Sequence, residues 1–243
     1  MPTSAKTQPE NPPQLRSITS FVRREGRITP AQKKALAQLW PRYGISLGAE
    51  PMDLEAIFNR KAERILEIGF GNGDSLVEQA RAAPEKDFLG IEVHRPGVGH
   101  LLLRLEAEGV DNIRVICDDA WKVLQHHLPE QSLQGVQIFF PDPWPKKRHH
   151  KRRLIQPPFV DLLWHKLKPD GWVHLATDWQ NYAAQMMAVL SQHPGFGNLA
   201  GEGRFAQGPG ERPSTKFERR GQQRGYQVWD LKLKKLLENS FCK

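Results

Sequence analysis

Three observations predict the fold class. Short apolar runs alternate with stretches of helical spacing from residue 64 to residue 190, glycines gather where the first run ends, and acidic residues stand where later runs end. Strands that alternate with helices pair in parallel, with helices on both faces, so the sequence predicts an α/β protein with a Rossmann-like, doubly wound, mostly parallel sheet. A chain of 243 residues that is 39% hydrophobic can fill one full core, as one domain or one with a short appendage.

The elements follow in order. Residues 1–20 are rich in Pro, Ser, Thr and Gln, and Arg23, Arg24 and Arg27 follow, so 1–28 are expected to be a mobile basic tail with too little aliphatic surface to offset ordering entropy. Residues 29–243 are expected to fold. Thr29 as a cap and Pro30 at the first helical position predict a helix through Leu39. Then come a strand over 64–69, a helix over 74–83, a strand over 88–93 and helical spacing at Val98, Leu101, Leu102 and Leu105. A third strand over 113–116, a helix over 120–128 and a strand over 136–140 lead to the proline-rich loop 141–145. A helix over 159–167, a strand over 172–176, a helix over 182–190 and a late strand over 226–233 complete the pattern, which shows no internal repeat.

Composition removes several classes of function. Two cysteines, Cys117 and Cys242, lie far apart and support neither a disulfide framework nor a zinc cluster, so a reducing cytoplasm is the expected setting. No run reaches the roughly 18 apolar residues of a membrane span, and residues 1–20 hold no apolar signal core. Neither a membrane nor an obligate protein partner is expected. The net charge of +8 is unevenly spread: residues 1–50, 146–153 and 212–235 hold +5, +6 and +6, while the remainder holds −9. Positive clusters on an otherwise acidic chain are the footprint of a polyanion binder.

Ligands of an open parallel sheet bind beyond the carboxyl ends of its strands, so the loops there carry the chemistry. Gly69, Gly71 and Gly73 let the first loop turn sharply beside a nucleotide-like ligand, with Glu67 inside the preceding strand. Glu92 ends the second strand, where a carboxylate can accept ribose hydroxyls. A dinucleotide site needs a third glycine at position 74; Asp74 stands there, and its charge suits a sulfonium better than a diphosphate, which points to S-adenosylmethionine rather than NAD. Asp119 serves equally as an acceptor for an adenine amino group or as the N-cap of the next helix. Prolines stiffen the fourth loop around Asp142, and Trp144 offers a face for stacking on a base. The run Lys146-Lys147-Arg148-His149-His150-Lys151-Arg152-Arg153 follows at once, joining a base platform to a phosphate grip. Adjacent histidines among six cations make a poor metal site, and none is expected.

These pieces resemble one family. Leu66 to Gly73, Gly90 to Val93, Phe140 to Trp144 with Lys151-Arg152-Arg153, Ala176 to Trp179 and Thr215 to Gly221 resemble the bacterial tRNA (guanine-N7)-methyltransferases, over about residues 60–235 and in that family's order. The resemblance implies that 29–243 form a class I S-adenosylmethionine-dependent methyltransferase domain with tRNA as substrate. It implies that Glu67, Glu92 and Asp119 contact S-adenosylmethionine and that Asp142 stands at both cofactor and catalytic centre. Lys146, Asp178, Thr215, Lys216, Phe217 and Glu218 correspond to substrate-binding positions, and Arg148, His149, His150, Lys151, Arg152 and Arg153 to the RNA-contacting segment. One departure is His150, where the family carries a small polar residue such as Asn. The implied reaction places the methyl group on N7 of a guanine in the variable loop. N7 has a lone pair and no proton, so in-line attack needs no general base, and a carboxylate, Asp142 first and Asp178 second, holds the guanine edge. A nicotinamide oxidoreductase would explain the glycines and Glu92 but not the aromatic-basic loop. A noncatalytic RNA binder would explain the charge but not the carboxylates at successive strand ends.

Overall fold

The computed structural model describes residues 26–208, 212–213, 218 and 227–237. The expected tail up to residue 25, Thr215, Lys216 and Phe217, residues 219–221, Tyr226 and Cys242 lie outside the described residues.

Two helices open the described part of the chain, α1 (Pro30–Gln38) and α2 (Trp40–Tyr43), followed by α3 (Leu54–Phe58). Thr29 does cap α1: its side chain accepts from the Gln32 backbone N–H while Gln32 reaches back to the Thr29 N–H, a reciprocal capping box. The alternating body is β1 (Arg64–Ile68), α4 (Asp74–Ala82), β2 (Asp87–Ile91), α5 (Arg95–Glu108), β3 (Ile113–Ile116), α6 (Ala120–His126) and β4 (Leu133–Phe139). A 3-10 turn (Lys147–Arg152), α7 (Pro157–Lys166), β5 (Leu167–Thr177), α8 (Gln180–Ser191), β6 (Phe196–Asn198) and β7 (Trp229–Lys235) follow.

The seven strands form one sheet in the order β3-β2-β1-β4-β5-β7-β6. The first five are parallel, and β7 runs antiparallel between β5 and β6. The chain order reverses between β1 and β4, which is where a doubly wound sheet opens a crevice for ligands. Helices cover both faces. Alternate residues of β1 divide between them: Leu66 and Ile68 enter the larger core with α6, α7 and α8, and Ile65 enters the core under α1, α4 and α5. The predicted order of elements holds, with two strands longer than their apolar runs. Leu133 pairs with Leu167 ahead of a register shift near Gly135, so β4 and β5 begin in the polar stretches Leu133-Gln134 and Lys168 to Gly171, where no alternation marks a strand. The pieces α2, α3 and β6 are too short to show a period.

Candidate active site

The exits of β1 to β4 enclose a cleft of about 420 Å³, lined by Gly69, Gly71, Glu92, His94, Asp118, Asp119, Phe140 and Asp142 among others. Gly69, Gly71 and Gly73 all have positive φ, at 77°, 59° and 79°, a conformation that a side chain strains. A Cβ at Gly97 of α5 would collide with the Gly71 carbonyl, so the loop lies directly on the start of that helix. Glu92 holds the loop from the other side. Its Oε2 accepts from the Gly71 N–H at 2.9 Å, and its Oε1 accepts from the Val93 and His94 N–H groups at 2.7 and 2.9 Å. Three of about four acceptor positions are thereby used, leaving Glu92 capacity for about one ribose hydroxyl rather than a pair.

Glu67 is only 3% exposed, and its Oε2 has no hydrogen-bond partner in the protein. Burial, with the charge of Glu92 adding to it, pushes its carboxyl up to about 8. A buried carboxyl with an open acceptor, glycines without side chains, and the cleft acids Glu92, Asp118, Asp119 and Asp142 form a donor set that fits a cationic, hydroxyl-bearing ligand such as S-adenosylmethionine. Asp119 fills the structural half of its two expected roles, capping α6 by accepting from the Trp121 N–H at 2.9 Å, and it also lines the cleft. Asp74 takes a different part from the one its sequence position suggests. Its Oδ1 accepts from Arg104 of α5 at 2.8 Å, and the same guanidinium pairs with Glu108, so Asp74 clamps α4 to α5 instead of lending charge to the cleft.

Asp142 and Asp178 follow the ends of the adjacent strands β4 and β5, and both are exposed, Asp142 on the cleft wall. The backbone between β4 and the basic turn is unusual: Phe140 and Trp144 have φ of 52° and 46°. One face of Trp144 is already covered by the Arg152 guanidinium, 4.9 Å from the ring centroid, while His149 meets the ring edge-on. Lys146, Lys147, Arg148 and Lys151 are exposed. Partial burial, followed by repulsion from Arg148, Arg152, Lys146 and Lys151, holds the His149 imidazole below its ordinary value.

Arg153 corrects the sequence expectation of an RNA contact, and His150 stands beside it. Arg153 is 2% exposed; its guanidinium donates to the Pro143 carbonyl at 2.8 Å, to Asn181 Oδ1 at 2.9 Å and to Gln185, and it lies over the Tyr182 ring. His150 is half-buried and turns its Nε2 toward Arg153 Nη2 at 3.1 Å. A guanidinium can only donate, so that imidazole nitrogen is the acceptor. Arg153 therefore braces the Asp142 loop from beneath rather than meeting phosphate, because its charge is fully desolvated and used.

Glu218 is 2% exposed, and both of its oxygens accept from Arg212, which is 4% exposed. Arg212 also makes a two-point contact with Asp230 of β7, at 2.8 and 3.0 Å, and lies over the rings of Phe139 and Phe140. His174 of β5 completes the group by donating Nε2–H to Asp230 Oδ1 at 2.7 Å. Burial alone would lower Arg212 and raise Asp230, yet their contacts reverse both directions, so each stays charged. Sequence reasoning missed Arg212, His174, Asp230, Asn181 and Gln185. They lie scattered over three elements and the segment before Glu218, and only the fold brings them together. Among the described residues no cluster of three or more His, Cys, Asp or Glu is arranged to hold a metal, and no helix is long and apolar enough to cross a membrane.

Known proteins share this fold. The fold matches the solved 16S rRNA methyltransferase KamB, with a TM-score of 0.59 at 14% identity over 81% of this chain and 99% of that one. It also matches an S-adenosylmethionine-dependent methyltransferase from Aquifex aeolicus, with a TM-score of 0.50 at 12% identity over 84% and 89%. A family model described as "Putative methyltransferase" matches residues 61–231. Fold and cleft together define an S-adenosylmethionine-dependent methyltransferase. Curated relatives narrow the class: a tRNA (guanine-N(7)-)-methyltransferase of Nitrosococcus oceani is 72% identical over 93% of this chain and 94% of its own length. One of Alkalilimnicola ehrlichii is 57% identical over 90% and 93%. The chain belongs to the tRNA (guanine-N(7)-)-methyltransferase family.

Proposed function

We propose that this protein methylates N7 of a guanine in the variable loop of tRNA, in a reducing cytoplasmic setting, without a general base. The observation that carries the reading is the junction at the end of β4, where the wall of an acidic cleft at Asp142 runs through four residues into a cationic turn. Bound S-adenosylmethionine supplies an electrophilic methyl group on a sulfonium. The protein's own task is to align a lone pair that needs no deprotonation, so positioning is the main catalytic contribution.

Asp142 accepts from N1 and N2 of the guanine edge, which adenine cannot offer, and its charge favours the cationic methylated ring. Asp178, exposed after the neighbouring strand, is the second candidate for that edge. Glu67 and Glu92 hold the cofactor from the β1 and β2 side. Lys146, Arg148, Lys151 and Arg152 attract the tRNA backbone, and Thr215, Lys216 and Phe217 contribute to the base pocket by their correspondence to the family. The test is incubation with unmodified tRNA and labelled S-adenosylmethionine, followed by nucleoside analysis. Label in 7-methylguanosine supports the reading; label in any other nucleoside, or none, overturns it.

A further inference from the structure

The buried Arg212 has no part in binding either ligand by charge, since its guanidinium is enclosed by Asp230, Glu218, Phe139 and Phe140. What it joins is informative. Asp230 fixes it to β7, and through Asp230 it is linked to His174 of β5. The two phenylalanines are the last residues before Pro141 and Asp142, and Phe140 sits in the left-handed region that a bulky residue adopts only under constraint. Glu218 lies six residues further along the chain, and the stretch between Pro213 and Glu218 carries Thr215, Lys216 and Phe217.

We infer that Arg212 is a positioning residue that holds the Asp142 loop in one geometry through Phe139 and Phe140, its own orientation being fixed by Asp230 and Glu218. A single planar guanidinium can serve both carboxylates at once because its five donors form a fixed fork, which the ammonium of lysine does not reproduce. The inference rests on the proposed activity.

It therefore separates rate from binding. Arg212→Lys keeps the charge and loses the fork, and Glu218→Gln keeps the shape and loses one acceptor. Each is expected to lower the single-turnover methylation rate, at saturating tRNA and cofactor, by about 100-fold, the scale of a misplacement near 1 Å. Affinity for S-adenosylmethionine, by calorimetry, is expected to stay within about twofold, and tRNA affinity within about threefold, because the exposed cations lie on another element. The double variant should be no slower than the worse single one. If both variants turn over within about threefold of the parent, or if rate, cofactor affinity and thermal midpoint fall together, Arg212 is a stability residue only. A parent protein that methylates no guanine defeats the proposed activity itself, whereas an active parent with indifferent variants defeats only the positioning role.

Discussion

Where β1, β2 and β3 end, the cleft takes its shape from backbone: three left-handed glycines, a helix start pressed on the loop, and a carboxylate tied to three consecutive-loop N–H groups. Where β4 and β5 end and β7 begins, the shape comes from side chains, with Arg153 under the Asp142 loop and Arg212 behind Phe139 and Phe140. The contrast suits the two ligands. A small cofactor is met by a rigid cradle built locally. On the proposed reading, a folded RNA is met by loops whose geometry depends on buried ionic contacts between distant elements. In a basic stretch, then, an arginine can serve as a brace for its own loop, as Arg153 does, while its neighbour Arg152 is the one proposed to meet phosphate.

The sharpest break of this comparison is Asp142→Ala. Methylation is expected to fall by at least about 10³-fold while tRNA affinity changes little, since a rim carboxylate orients the base and does not attract phosphate. Single-turnover kinetics with filter binding checks both; near-normal turnover would pass the central role to Asp178.

Arg153→Ala and Arg152→Ala test the division between neighbours. The buried one should destabilise the fold by about 3 kcal/mol, because Pro143 O, Asn181 and Gln185 lose a charged donor, and denaturant melts measure this. The half-exposed Arg152 should leave stability nearly unchanged and reduce the log–log salt slope of tRNA binding by about one unit. Equal slopes for Arg152→Ala and the parent would remove Arg152 from the interface.

Glu67 gives a pH signature on the cofactor side. Its carboxyl stands near 8 in the free protein, and a cationic ligand favours the ionised form, so binding below that pH must release a proton. Cofactor affinity is expected to rise with pH, by up to about tenfold per unit between roughly 6 and 8, and Glu67→Gln should flatten the profile. Calorimetry in buffers of different ionisation enthalpy reads the released proton directly.

The smallest effect lies on the RNA side and has the opposite sign. His149 is depressed by partial burial and by surrounding cations; phosphate neutralises those cations, so tRNA binding takes up a proton. Affinity should strengthen by a fewfold as pH falls from about 7.5 to about 6, and His149→Gln should lose that dependence.

Much of the cofactor side was legible in the sequence because its determinants are local. Gly69, Gly71 and Gly73 announce left-handed turns, and Glu92 falls where the second apolar run stops. Asp74 misled for the same reason: its partner Arg104 sits on another helix, and no local pattern records the pair. Lys146 to Arg153 read as a uniform basic run, and nothing in that string separates the exposed Lys147 from the buried Arg153. The Arg212, Glu218, Asp230 and His174 group was illegible, since its members come from β5, β7 and the chain between them and meet only once the antiparallel strand is in place.

That antiparallel strand also sets an order of assembly. β6 has β7 as its sheet neighbour, and β7 enters between β5 and β6, so the sheet from β3 to β5 can pair before residues 229–235 leave the ribosome, whereas β6 and the Arg212 group cannot. The cradle for the small ligand is finished early in synthesis, from contacts close in sequence. The half proposed to handle RNA waits for contacts spanning 56 residues, between His174 and Asp230. On the proposed positioning role, a growing chain acquires the means to hold its methyl donor well before it acquires the geometry to spend it, and β7 is the catch that arms the enzyme.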